Sequence, residues 1–126
     1  MSLKILVVDD EMQIRELLRH KLERAGFEVI TAKSRREFVQ CAMSQQPDLI
    51  ILDIWLEKSL GPDVYHELLA QGFNREVPVI FITALVEGHS GNEGIISDRK
   101  YALFSKPFDF EKLLKEIHAL LHLEAK

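Results

Sequence analysis

The chain has a single cysteine, so no internal disulfide can hold it, and a reducing compartment is the expected setting. Cys41 stands with Phe38 and Ala42 at helical spacing, which predicts a buried structural thiol rather than a reactive one. No apolar stretch approaches the roughly 20 residues of a membrane-spanning helix, and Met1-Ser2-Leu3 passes straight into a strand-like run without a basic leader. The expected location is the cytoplasm, away from membranes. Positive charge is also short: 16 Lys and Arg stand against 20 Asp and Glu, a net charge of −4. Direct nucleic-acid binding is therefore not expected, because such domains carry a basic face. The small cluster Lys33, Arg35 and Arg36 reads as a solvated helix start. Repeats, linkers and low-complexity tails are absent, and 126 residues suit one domain over 1–126 with a real core.

What is present is an alternation of apolar runs and amphipathic segments. Leu3–Val8, Leu49–Leu52, Val79–Ile82 and Ala102–Ser105 are short continuous apolar runs, the pattern of strands buried on both faces of a parallel sheet. Phe27–Ala32 makes another strand. Between them Ile14, Leu17, Leu18, Leu22 and Ala25 mark one helical face, stopped by Gly26. Ser34-Arg35-Arg36-Glu37 is a capping box for a second helix ending before Pro47. After the third strand a loop is expected from Asp53 to Gly61-Pro62, where Pro62 opens a third helix stopped by Gly72, and Asp109 caps a last helix with a stripe from Phe110 to Leu121. His118 and His122 lie four apart there, but with no third ligand nearby they read as surface or partly packed histidines.

Four of the apolar runs end in polar residues: Asp9-Asp10, Asp53, Thr83 and Lys106-Pro107. In open parallel sheets the ligand site lies beyond the carboxyl ends of the strands, where strand order reverses. Three carboxylates, a hydroxyl and an ammonium are thus expected on one edge. A carboxylate such as Asp53 can act as a nucleophile and carry a phosphoryl group. Asp10 and Asp53 can supply the carboxylate pair that Mg²⁺ needs, with Asp9 reaching the ion through water. Thr83 and Lys106 can each pair with a phosphoryl oxygen.

Ile5-Leu6-Val7-Val8-Asp9-Asp10-Glu11, Leu52-Asp53, Ile82-Thr83-Ala84 and Ser105-Lys106-Pro107-Phe108 occur in order, and over Leu3–Leu121 the chain resembles the receiver domain of bacterial response regulators. The resemblance implies a flavodoxin-like α/β fold with a doubly wound five-stranded parallel sheet of order 2-1-3-4-5. It implies a phosphoacceptor, Asp53, served by a sensor histidine kinase or histidine phosphotransfer protein. Asp9 and Asp10 then hold Mg²⁺ with Asp53, the Trp55 carbonyl is a further ligand, and Ala84 leaves the phosphoryl group accessible. Such a receiver is no conventional enzyme; it catalyses only its own phosphorylation and dephosphorylation. It acts through a downstream protein target or passes phosphate on, as a stand-alone domain or a homodimer. The alternative is a pseudo-receiver that binds proteins without signalling through phosphate.

Three features depart from the family. Leu103 occupies the position three before the lysine where tyrosine or phenylalanine is usual, with Phe104 and Tyr101 nearby. Glu57 stands where proline is common. Between Thr83 and Tyr101, where the alternation calls for a helix, lie Gly88, Gly91 and Gly94, half of the chain's six glycines. Each costs about 1 kcal/mol against alanine inside a helix. The segment Val86–Lys100 is accordingly expected to be an irregular loop or at most a short helical turn. Two other readings are poor: an aspartyl phosphohydrolase needs an acid where Trp55 stands, and a flavodoxin-like cofactor carrier needs a phosphate-cradling loop after the first strand.

Overall fold

The computed structural model describes residues 3–56, 59–74, 76–83, 90–96, 99–105 and 109–123, with the main chain alone at residues 59, 60, 83, 90–96, 99–102 and 105. In chain order the elements are β1 (Lys4–Val8), α1 (Met12–Arg24), β2 (Glu28–Ala32), α2 (Arg35–Gln45), β3 (Leu49–Asp53), β4 (Trp55–Leu56), β5 (Ser59–Leu60), α3 (Gly61–Ala70), β6 (Val79–Thr83), β7 (Ser90–Ile96), β8 (Arg99–Ser105) and α4 (Phe110–Leu120). Five strands run parallel, as the apolar runs predicted, in the order β2-β1-β3-β6-β8 that the resemblance implied. A sixth strand, β7, adds antiparallel outside β8.

The strands are apolar on both sides because both sides are covered. Leu6, Val8, Ile50, Leu52 and Phe81 pack with Phe38 of α2 and Val64, Tyr65 and Leu68 of α3. The alternate residues Ile5, Val7, Ile51, Ile80 and Ile82 face the opposite way, onto Leu18 and Leu22 of α1 and Leu113 and Ile117 of α4. Each such side chain contributes roughly 1.5–3 kcal/mol on burial. Tyr65 is buried with its hydroxyl satisfied, donating to the carbonyl of Val77 at 3.3 Å, and its ring meets Phe81 edge-on.

The helix ends follow the expected chemistry. The Ser34 hydroxyl accepts the Glu37 N–H at 3.1 Å, while the Glu37 carboxylate reaches back to the N–H of Lys33 at 3.0 Å. Asp109 accepts the Glu111 N–H at the start of α4. Gly26 and Gly72 end α1 and α3 with φ of +98° and +94°, a region that favours glycine. Lys33, Arg35 and Arg36 are exposed, and Arg35 makes an ion pair with Glu67 that ties α2 to α3.

Two segments differ from expectation. The stretch between Asp53 and Gly61, read as a loop, contains the two-residue ribbon β4–β5, with Trp55 opposite Leu60. The larger correction concerns Val86–Lys100: its described residues form neither an irregular loop nor a helical turn but β7 and the start of β8. Glycine disfavours a helix, yet β8 offers an unfilled row of main-chain donors and acceptors that an extended segment can satisfy. The β-branched Ile95 and Ile96 suit that conformation and pair with Lys100 and Arg99. β8 therefore starts at Arg99, three residues before the apolar run begins.

The same register fixes the two candidates for the aromatic position. Phe104, opposite Ile82, is 1% exposed and packed on the α1/α4 side. Leu103, opposite Phe81, is half-buried against the other side.

Candidate functional site

β1 and β3 are neighbours although β2 intervenes in sequence, so the chain reverses its winding between them. Val8 pairs with Leu52, which sets Asp9 and Asp53 side by side at the carboxyl edge of the sheet. Asp9 is fully buried, Asp53 is 5% exposed, and Asp10 is exposed at the rim. One carboxylate oxygen from each lies within 4.8 Å of those of the other two.

Local main-chain bonds aim these carboxylates. Asp9 Oδ1 accepts the N–H of Glu11 at 2.9 Å, and Asp53 Oδ1 accepts that of Trp55 at 3.2 Å. Each is an Asx turn, in which a short side chain bonds the backbone two residues on. The strand ends are pinned too. Asp9 N–H donates to the Ala32 carbonyl, the Arg15 guanidinium donates to the Asp9 carbonyl at 2.8 Å, and Ile54 N–H donates to the Ile82 carbonyl at 2.8 Å.

Gly61 closes the loop over this edge. Its N–H donates to the Ile54 carbonyl at 2.5 Å, and a Cβ built on it would overlap the main-chain oxygen of Asp53. Only glycine fits that approach. The sequence shows Gly61 only as the end of a loop before the Pro62 helix start; its close approach follows from β3 and α3 meeting in space. Arg15 was missed as well; on a helix face it looks like any solvated cation.

Three carboxylates this close carry a large charge cost. Two unit charges at 4.8 Å repel by roughly 3 kcal/mol at an effective dielectric of about 20. The donor set consists of hard oxygens only, suited to a small divalent cation. Buried Asp9 and Asp53 with exposed Asp10 leave the cluster reachable from the rim, so the residues present fit such an ion.

Of the other sequence-predicted residues, Thr83 ends β6 one position past Ile82, the partner of Asp53, and pairs in register with Ser105. Ala84 and Lys106 lie outside the described residues, each next in sequence to a described strand end. Trp55 follows Asp53 by two and is 45% exposed. Cys41 is half-buried against the α2/α3 core. Burial first, and Glu37 second, push its thiol up, which disfavours the thiolate. His118 packs its ring 6.2 Å from that of Phe27 and His122 is exposed. Among the described residues only Asp9, Asp10 and Asp53 form a group fit for a metal.

Known proteins resemble the chain in sequence and in fold. The chain is 37% identical over 122 residues to the alkaline phosphatase synthesis transcriptional regulatory protein PhoP of Bacillus subtilis, covering 96% of this chain and 49% of that protein. It is 36% identical to the DNA-binding dual master transcriptional regulator RpaA of Synechocystis, over 94% of this chain and 48% of RpaA. The chain thus spans about half the length of these relatives. Among solved structures it is similar to the response regulator TrrA of Thermotoga maritima in complex with Mg²⁺ and BeF, with a TM-score of 0.76 and 32% identity over 95% of this chain and 99% of that one. It is also similar to the chemotaxis response regulator CheY4 of Vibrio cholerae, with a TM-score of 0.76 and 26% identity over 95% and 99% of the two chains. The family model of the response regulator receiver domain matches residues 5–118, and with the sheet order and the acidic edge described above, the chain belongs to that family.

Proposed function

We propose that this receiver accepts a phosphoryl group on Asp53 from a histidine kinase or a histidine phosphotransfer protein, and then acts by binding a protein partner or passing the group on. The observation that carries the reading is the burial of Asp53 beside Asp9, with Asp10 at the rim, in one cluster within 4.8 Å. An Asp53 oxygen attacks phosphorus, the bond from phosphorus to the donor's imidazole nitrogen breaks, and that electron pair leaves with the imidazole. The product is an acyl phosphate, which water hydrolyses back to the carboxylate. Asp9, Asp10, Asp53 and the Trp55 carbonyl would hold Mg²⁺, which when bound offsets the charge of the carboxylates and the phosphoryl oxygens. The Thr83 hydroxyl donates to one phosphoryl oxygen and the Lys106 ammonium pairs with another, while the small Ala84 leaves room for the incoming group. The Asx turn from Trp55 to Asp53 Oδ1 orients the nucleophile before the donor arrives.

Incubation with acetyl phosphate and Mg²⁺ tests the reading, with intact-mass spectrometry as readout. The expected result is a single added phosphoryl group on the unaltered chain and none on Asp53→Asn. Equal labelling of that variant would move the acceptor elsewhere, and no labelling of the unaltered chain would favour the pseudo-receiver.

A further inference from the structure

We propose that β7 is a self-pairing edge, through which two copies of this chain join β7 to β7 about a twofold axis and fuse their sheets. Among the described strands β7 bonds β8 alone, so its outer row of N–H and C=O groups faces away from the sheet. Protein edges are normally guarded by proline, lysine, bulges or short length. Ser90–Ile96 has seven residues, no proline, no lysine or arginine, and one charge, Glu93. Its single register irregularity falls between Ser90 and Asn92, leaving 92–96 regular. The opposite edge is better guarded: β2 has five residues, opens on exposed Glu28 and is followed by exposed Lys33.

Symmetry and charge select the occupant. A twofold axis pairs two identical strands antiparallel and closes the assembly at two copies, whereas β7 on β2 would be head-to-tail and open-ended. An axis through Glu93 would oppose like charges. An axis at Gly94 instead sets Glu93 opposite Ile95 of the partner subunit. Ile95 is itself the register partner of Lys100, so each Glu93 shares a cross-strand row with a lysine of the other copy. Two complementary rows form per dimer.

Sedimentation of the chain without any phosphodonor, from micromolar to millimolar concentration, reads the assembly independently of Asp53 chemistry. A monomer–dimer equilibrium is expected. Glu93→Lys should weaken it about tenfold, since each row exchanges an attraction for a repulsion, and adding Lys100→Glu should restore it. Because Glu93 and Lys100 are also diagonal neighbours within one hairpin, the dimer must weaken while the urea midpoint of the dilute monomer stays unchanged. A midpoint that falls and recovers with the dimer overturns the proposal. In a Cys41→Ser background, Gly94→Cys should oxidise to a disulfide-linked dimer, whereas Ile30→Cys on β2 should not. A monomer at every concentration overturns the proposal. So does a dimer indifferent to the charge swap, or one that cross-links through β2 and not through Gly94→Cys.

Discussion

Gly61 has little freedom to change. A methyl group there meets the carbonyl oxygen of Asp53, and overpacking of this kind costs roughly 1–3 kcal/mol. Gly61→Ala should lower the unfolding free energy read by urea titration by that amount and slow labelling by acetyl phosphate, because the backbone that must yield also carries Asp53. Trp55 offers a second readout. It is the only tryptophan, it is 45% exposed, and its N–H bonds Asp53 Oδ1, so millimolar Mg²⁺ should alter its emission. Asp10→Ala should abolish that response. Cys41 tests burial by pH. Its raised folded value means that the folded chain holds the thiol proton more tightly than the unfolded chain. The associated stability is complete below the ordinary thiol range and is lost as pH rises through the folded value. Alkylation at neutral pH should be slower than for a free thiol, and urea should erase the difference.

At the scale of elements, caps and periodicity carried the sequence reading. Ser34→Ala should cost about 1 kcal/mol, measured by urea unfolding, because it removes the acceptor for the Glu37 N–H at the start of α2. That cap, the Gly26 and Gly72 stops and the Leu113–Ile117 stripe were visible because each depends on residues within one turn. The buried strands were visible because runs such as Leu49-Ile50-Ile51-Leu52 admit no solvent-facing side. β7 was not visible, since it forms against the free edge of β8, which the segment's own sequence does not reveal. Glycine content argued correctly against a helix but could not choose between a loop and a strand. The β4–β5 ribbon escaped for the same reason, being set by the approach of Gly61 to Ile54. The acidic cluster was legible because Asp9 and Asp10 come straight after one buried strand and Asp53 ends its neighbour, and parallel register then brings them together.

For the molecule as a whole, the charge gathered at one edge links ion binding to stability. Mg²⁺ at ten times its dissociation constant should raise the unfolding free energy by about 1.4 kcal/mol. Asp10→Asn should raise stability in chelator while weakening that gain, a crossing that urea titrations with and without Mg²⁺ would reveal. The hairpin of β7 and β8 has a kinetic consequence. The other neighbouring strands of the sheet are distant in sequence, as Ile5 is from Leu49 or Ile50 from Val79, and such contacts close slowly. Ile96 and Arg99, by contrast, are register partners with only two residues between them in sequence, so this corner of the sheet closes from a local contact. β7 and β8 are therefore expected to open and reclose together more readily than β1, β3 and β6. In native-state hydrogen exchange their amides should share one opening free energy, lower than that of the central strands.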